Sequence, residues 1–256
     1  VNPGEYRRMF EAEEVHWWYV GLHRLVLSLV AREARARGRR LEIFDAGCGT
    51  GRLAQLMAAH GRVEGCDSSE IAIGFCRARG LDGVRQADLN DVELPRGRYD
   101  VITSLDVLYH AGIRDDAAVL GRLRDALGPG GLLLLHLPAW PCLRSTHDRA
   151  VGTRERYRRK PLLRKLQGAG FDVELVTYRV FFLFPPIALH RVLRRIWSRV
   201  ARGGGEATSD VSLPPRPVNA SLLALLRFEN RLLERFRLPW GTSLLAVARA
   251  PGGARR

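Results

Sequence analysis

Three aspartates end three successive strand-like segments of this chain, and their spacing is where chemistry is most legible. Asp45 follows Leu41-Glu42-Ile43-Phe44, Asp67 follows Val63-Glu64-Gly65-Cys66, and Asp88 follows Val84-Arg85-Gln86-Ala87. Between the first two lies the turn Gly47-Cys48-Gly49-Thr50-Gly51, which opens onto the helix-forming run Leu53-Ala54-Gln55-Leu56-Met57-Ala58-Ala59. Strand, glycine turn and helix form the opening unit of a nucleotide-binding α/β domain. The glycines let backbone approach a ligand closely, and the new helix's free N–H groups face that ligand. Asp45 at the end of the strand repels a pyrophosphate and attracts a cation. Asp67 lies about 20 residues beyond the glycines, the spacing that places a carboxylate on ribose hydroxyls. The implied ligand is therefore cationic and carries a ribose.

The elements that must hold these acids alternate along the chain. A fourth strand, Tyr99 to Leu105, leads into Asp106-Val107-Leu108-Tyr109-His110. A helix from about Asp115 to Leu127 stops at Gly128-Pro129-Gly130-Gly131, and Leu132 to Leu137 is apolar enough for a strand buried on both faces. Ser68 or Ser69 caps the helix after the second strand. Strand–helix alternation predicts a doubly wound, mostly parallel sheet with its ligand at the carboxyl ends of the strands, where Asp106 and His110 also fall. Ahead of the sheet, residues 5–38 are expected to be helical. Their His16-Trp17-Trp18-Tyr19 segment serves either to pack that helix on the domain or as a lid, with Arg35, Arg37, Arg39 and Arg40 as a solvated basic exit.

Asp45-Ala46-Gly47-Cys48-Gly49-Thr50-Gly51 resembles the first motif of class I S-adenosylmethionine-dependent methyltransferases. Asp67 matches that family's ribose-binding acid, Asp88-Leu89 its adenine-binding pair, and Leu127-Gly128-Pro129-Gly130-Gly131 the turn before its fifth strand. The His16-Trp17-Trp18-Tyr19 segment and the later His147-Asp148 and Arg156-Tyr157 pairs resemble a group of bacterial small methyltransferases. Members of that group commonly carry a His where this chain has Thr153. The resemblance implies a Rossmann-like seven-stranded sheet with its last strand antiparallel, and S-adenosyl-L-methionine as cofactor. Cofactor contacts are then expected from Asp45, Gly47, Cys48, Gly49, Gly51, Asp67, Ser68, Asp88, Leu89 and Ser104. His110 and His147 are placed to take an acceptor's proton. Acceptor contacts fall to Trp17, Trp18, Tyr19, Tyr109, Arg156 and Tyr157.

The chain divides into an N-terminal helical lid (1–40), the core (41–180), a helical insertion (181–240), and the last strand and tail (241–256). The sixth strand, Phe171 to Tyr178, and the seventh, Ser243 to Arg249, form a hairpin in the family, yet here about sixty residues separate them. The insertion begins Phe181-Phe182-Leu183-Phe184-Pro185-Pro186 and continues as a basic amphipathic helix to about Val200. After a Gly/Pro-rich link, a second helix from about Ala220 to Phe236 is capped by Asn219 or Ser221. It reads as a pocket cap or dimer interface, as a membrane-surface element, or as plain packing.

The net charge of +14 invites a nucleic-acid or anionic-membrane partner, but only Lys160 and Lys165 among the 41 basic residues are lysines. Such arginine bias is also what a GC-rich genome produces. Four cysteines without a CxxC pair give no metal site, and no metal is expected. Without a signal-like start or an apolar run of membrane-spanning length, the expected location is cytoplasmic, with the inner face of the membrane as the alternative. The leading activity is methylation of a small or medium-sized, partly hydrophobic metabolite, most simply at oxygen. A lipid or lipid-linked acceptor is the variant. RNA methylation is disfavoured because Ser104-Leu105-Asp106-Val107 replaces the Asn/Asp-Pro-Pro-aromatic motif of enzymes that attack base amines, and a non-catalytic scaffold ranks last.

Overall fold

The computed structural model describes residues 3–145, 148, 151–200 and 212–252. Helices α1 (Pro3–Ala12) and α2 (Trp17–Arg37) precede β1 (Leu41–Ala46), α3 (Arg52–Met57), β2 (Gly61–Asp67), α4 (Glu70–Ala78) and β3 (Val84–Gln86). The chain continues through β4 (Tyr99–Leu105), α5 (Asp116–Ala126), β5 (Leu127–Pro138), α6 (Arg159–Gly168) and β6 (Asp172–Arg179). It ends with α7 (Phe184–Val200), α8 (Arg216–Leu233) and β7 (Ser243–Arg249). The seven strands form one sheet, as expected, and their order is β3-β2-β1-β4-β5-β7-β6. β1, β2, β3, β4 and β5 run parallel, and β7 pairs antiparallel with both β5 and β6.

Alternate strand residues supply the two core layers. Phe44, Ile102, Leu133, Leu135 and Leu137 face α5 and α6, whereas Ile43, Val101, Leu132, Leu134 and Leu245 face α2, α3 and α8. A one-residue slip of register would exchange these faces. On the second face the apolar layer gives way to polar side chains toward the carboxyl ends of the strands, and the site begins there.

Three local readings differ from the structure. The N-terminal helix is broken at Glu13 to His16, because His16 adopts an extended backbone and its Nδ1 accepts from Trp18 N at 3.3 Å. The basic exit is not uniformly solvated: Arg37 and Arg39 both bind Asp100 at the start of β4, and Arg40 donates to two carbonyls. The second insertion helix starts at Arg216, with proline in its first turn, so neither Asn219 nor Ser221 caps it. Asn219 instead ties this helix to α2, accepting from Trp17 N at 2.9 Å and donating to Val15 O at 2.8 Å.

α8 lies directly on α2. A Cβ at Gly21 would come within 2.6 Å of Leu226 Cδ1, and Asn230 donates to Gly21 O at 2.9 Å. Glycine at position 21 is what permits that approach. The second half of the insertion is thus packed on its own lid helix. Residues 201–211 of the Gly/Pro-rich link, like the side chains of Arg194, Arg195, Ile196, Trp197, Arg199 and Val200, lie outside the described residues.

Candidate active site

At the carboxyl end of the sheet, the glycine turn leaves β1 with Gly47, Gly49 and Gly51 all at positive φ. The space beside it is filled. A Cβ on Gly47 would stand 2.3 Å from Val107 Cγ2, and one on Gly49 would stand 2.9 Å from Met9 Cε. Asp67 at the end of β2 ties the turn to α4, its Oδ2 accepting from Gly49 N and its Oδ1 from Ser69 N, each at 3.0 Å. Ser69 caps α4 with its hydroxyl. Asp88 is held in the same manner by Asn90, through its backbone N–H at 2.8 Å and its side-chain amide at 2.7 Å.

Asp45 is buried and accepts a hydrogen bond from Thr103 Oγ1 at 2.7 Å. Burial pushes its pKa up to about 7, with the Thr103 bond opposing and the Asp67 charge adding. The group is therefore close to half-protonated at neutral pH, and a cation bound beside it favours the ionised form. Cofactor affinity is expected to fall as pH drops below about 7, approaching tenfold per pH unit, and to level off above it. Calorimetric titration with S-adenosylmethionine between pH 5.5 and 8.5 measures this, and Asp45→Asn should flatten the profile. The stability term has the opposite sense. A folded-state pKa above the ordinary carboxylate value stabilises the fold at low pH, and that contribution is lost as pH rises from about 4 through about 7.

A cavity of about 810 Å³ joins these acids to the lid. Asp45, Gly47, Cys48, Gly49, Asp67, Ser68, Asp88 and Leu89 line one part of it. Trp17, Trp18, Tyr19, Tyr109, His110 and Arg156 line the rest. Three residues expected at the site are elsewhere. Gly51 is the N-cap of α3, where a Cβ would strike Leu81 and Cys76, so it shapes the turn from behind. Ser104 faces the α5 side, fully buried, and its hydroxyl has no partner among the described residues. Tyr157 is buried against α5, donating to Asp116 Oδ2 at 2.7 Å, because its segment pairs with Ala139 and turns the ring away from the cavity. His147 lies outside the described residues. Asp148 beside it receives two hydrogen bonds from Arg156, at 2.7 and 3.0 Å, which orient that guanidinium at the cavity wall.

His110 stacks on Tyr109 with ring centroids 4.4 Å apart, and its backbone bridges to Thr153, itself on the cavity. Burial lowers the His110 pKa, with Asp106 opposing, so the neutral ring prevails near pH 7. His23 is held down to about 4 by burial, with Arg52 and Arg79 adding. Burial pushes the Tyr19 and Tyr109 phenols up, which keeps both as neutral hydrogen-bonding groups.

Several residues of the site were not singled out by sequence. Glu13 accepts from Thr50 Oγ1 and from Arg79 (2.7 Å), while Arg79 also donates to Thr50 O and covers the Phe10 ring. That latch holds the N-terminal segment onto the glycine turn. Asp106, which the sequence already places at the strand ends, forms a second cluster on the cavity with His136 and Ser243, which it does not, backed by the fully buried Arg179. A polar residue inside the apolar run of β5 was the available signal for His136.

Residues 20–195 match the family described as "Methyltransferase domain". The chain belongs to that family. The chain is also 29% identical over 146 residues to a protein of Aromatoleum aromaticum named "Ubiquinone biosynthesis O-methyltransferase", covering 51% of this chain and 60% of that one. A protein of Marinobacter nauticus with the same name is 32% identical over 139 residues, covering 48% and 57%. The matched region thus spans less than two thirds of either relative. Among solved structures, an S-adenosylmethionine-dependent methyltransferase from Mesorhizobium loti shares the fold with a TM-score of 0.54 at 22% identity, covering 82% of this chain and 91% of that one.

The residues present fit S-adenosylmethionine. Gly47 and Gly49 line the same cavity as the acids, Asp45 suits a cation, and Asp67 and Asp88 keep acceptor capacity for hydroxyl and amino hydrogens. Among the described residues, no group of three or more His, Cys, Asp and Glu could hold a metal ion, and no helix is long and apolar enough to cross a membrane.

Proposed function

We propose that this chain transfers a methyl group from S-adenosylmethionine to a hydroxyl of a small or medium-sized, partly hydrophobic acceptor, most simply a phenol. The single observation that carries this reading is the continuity of the cavity. The same cavity is lined by the aspartates and glycines of a cationic nucleoside site and by the aromatic side chains of Trp17, Trp18, Tyr19 and Tyr109. When bound, S-adenosylmethionine supplies an electrophilic methyl carbon on a sulfonium. Asp45, Asp67 and Asp88 hold and orient that donor. Trp17, Trp18, Tyr19 and Tyr109 present ring faces and edges suited to a flat apolar acceptor, and they exclude water from the reacting atoms. The O-methyltransferase names of the relatives support the choice of oxygen.

A second reading places the acceptor in an anionic membrane, and one surface favours it. Phe182, Phe228, Phe236 and Trp240 are exposed together with Arg227, Arg231, Arg235 and Arg237. The neighbouring helix α7 contributes Ile187, His190 and Arg191 to the cavity and exposes Leu189 and Leu193. Apolar rings interleaved with arginines match a surface of anionic headgroups over acyl chains.

One assay tests both readings. Methyl transfer to 4-hexylphenol is followed by mass spectrometry, in solution and with the phenol dissolved in phosphatidylglycerol vesicles. Product in solution supports the first reading. Turnover that requires vesicles, with protein pelleting alongside them at low salt, supports the second. Label appearing in RNA but in neither phenol sample would overturn both.

A further inference from the structure

We propose that Asp106 is the group that takes the acceptor's proton, and that His136 is the residue that positions it. The proposal rests on the hydroxyl-methylation reading above and assigns its proton.

Asp106 is the first residue after β4, and its neighbour Val107 packs on Gly47 of the cofactor turn. Its backbone has φ +58, a left-handed conformation that non-glycine residues adopt rarely and at some cost. The strand's exit thereby turns the carboxylate toward the cavity, where its side chain is 23% exposed. Asp106 Oδ2 meets His136 Nδ1 at 2.8 Å. Among the described residues no hydrogen bond is made to Oδ1, which leaves that oxygen for a ligand.

The ring behind it can hold only one tautomer. His136 is completely buried, its Nε2 lies 2.9 Å from Ser243 Oγ and 3.3 Å from Arg179 Nη1, and Trp18 meets it edge-on. Arginine has donors and no acceptor, so Nε2 must accept and Nδ1 carries the hydrogen. That hydrogen goes to Asp106 Oδ2, which fixes the carboxylate plane. The charged and titratable groups around this pair are Arg179 on β6, Glu229 on α8 facing that arginine, Tyr19 on α2, and Tyr109 and His110 on the same loop.

The balance is simple. The acceptor hydroxyl gives its proton to Asp106 Oδ1 and an oxygen electron pair to the methyl carbon, while the electron pair of the broken C–S bond stays on sulfur. Water takes the proton from Asp106 when the product leaves. His110, stacked on Tyr109, is then a wall of the acceptor site.

The test compares 4-hexylphenol with its more acidic 2,6-difluoro analogue, using wild-type protein, Asp106→Asn and His136→Gln. A lost base costs typically about 10²-fold or more. Asp106→Asn should lower kcat on 4-hexylphenol by that order and leave S-adenosylhomocysteine affinity unchanged. It should act nearly normally on the difluoro phenol at pH 9, where the acceptor is already ionised. His136→Gln should fall between the two, with its loss also confined to the un-ionised phenol. Equal losses on both phenols would overturn the assignment. If wild-type protein methylates neither phenol, the hydroxyl reading fails on its own. The positioning of Asp106 is tested separately by ¹⁵N NMR of the His136 ring: the Nδ1–H tautomer, kept in Asp106→Asn by the Arg179 contact to Nε2, supports it, and an Nε2–H or doubly protonated ring overturns it.

Discussion

Asp67→Ala is expected to lower affinity for S-adenosylhomocysteine by at least about 10²-fold in calorimetric titration. The carboxylate bridges Gly49 N and Ser69 N at 3.0 Å each, so it sets the distance between the glycine turn and the start of α4. It also keeps lone pairs for two ribose hydroxyls. Hydrogen bonds to a charged group contribute about 1.5–3 kcal/mol each, and losing two of them reaches the 10²-fold range. Removing the acid further leaves the Gly49 N–H without its acceptor and relaxes the turn. Asp67→Asn keeps one acceptor oxygen and should show a smaller loss. An affinity within fivefold of wild type for Asp67→Ala would remove Asp67 from the cofactor site. Global stability should change little, since the carboxylate is only partly buried.

Glu229→Ala is expected to destabilise the fold by about 3–5 kcal/mol, read as a shift of the urea unfolding midpoint at constant slope. Glu229 is fully buried on α8 and accepts from Val180 N at 2.6 Å and Phe181 N at 2.7 Å. Those donors belong to the left-handed turn at Val180 that ends β6. The Glu229 charge also favours the charged form of Arg179, whose Nε and Nη2 have no hydrogen-bond partner among the described residues. Burial holds the Arg179 pKa down to about 10, with Glu229 and Asp106 opposing, so the guanidinium stays charged at neutral pH. Truncating Glu229 leaves two buried donors unpaired and the buried Arg179 with Asp106 as its remaining opposing charge. Glu229→Gln keeps one acceptor and should be milder. If instead Glu229→Ala changes the midpoint by less than about 1 kcal/mol, α8 is a detachable flap and does not anchor the lid.

The two substitutions separate what was readable from what was not. Asp67 was legible because it ends a strand-like segment at a fixed distance from a glycine turn, and parallel sheets place such ends together. Asp45 and Asp88 were legible for the same reason, and the family resemblance followed from all three. Glu229 carried no such mark. In sequence it is one acid on an amphipathic helix, and its partners are backbone N–H groups some fifty residues earlier. Tyr157 shows the converse. It seemed to belong with Arg156 at the acceptor site, yet the pairing of its segment beside Ala139 turns it toward Asp116 on the opposite side of the sheet.

The sequence by itself determined the α/β order of elements, the glycine turn, and the row of acids at the strand ends. Each depends on residues close together in the chain, or on a rule that all parallel sheets obey. Tertiary structure decided the rest. The docking of α8 on Gly21, the Glu13–Arg79 latch, and the Asp106–His136–Ser243 cluster backed by Arg179 depend on which strand faces meet and how far along each strand a residue lies. A histidine in an apolar strand has the same local pattern whether it lies mid-sheet or one residue from a cavity. Only the long-range register of β4, β5, β6 and β7 places His136 at the cavity.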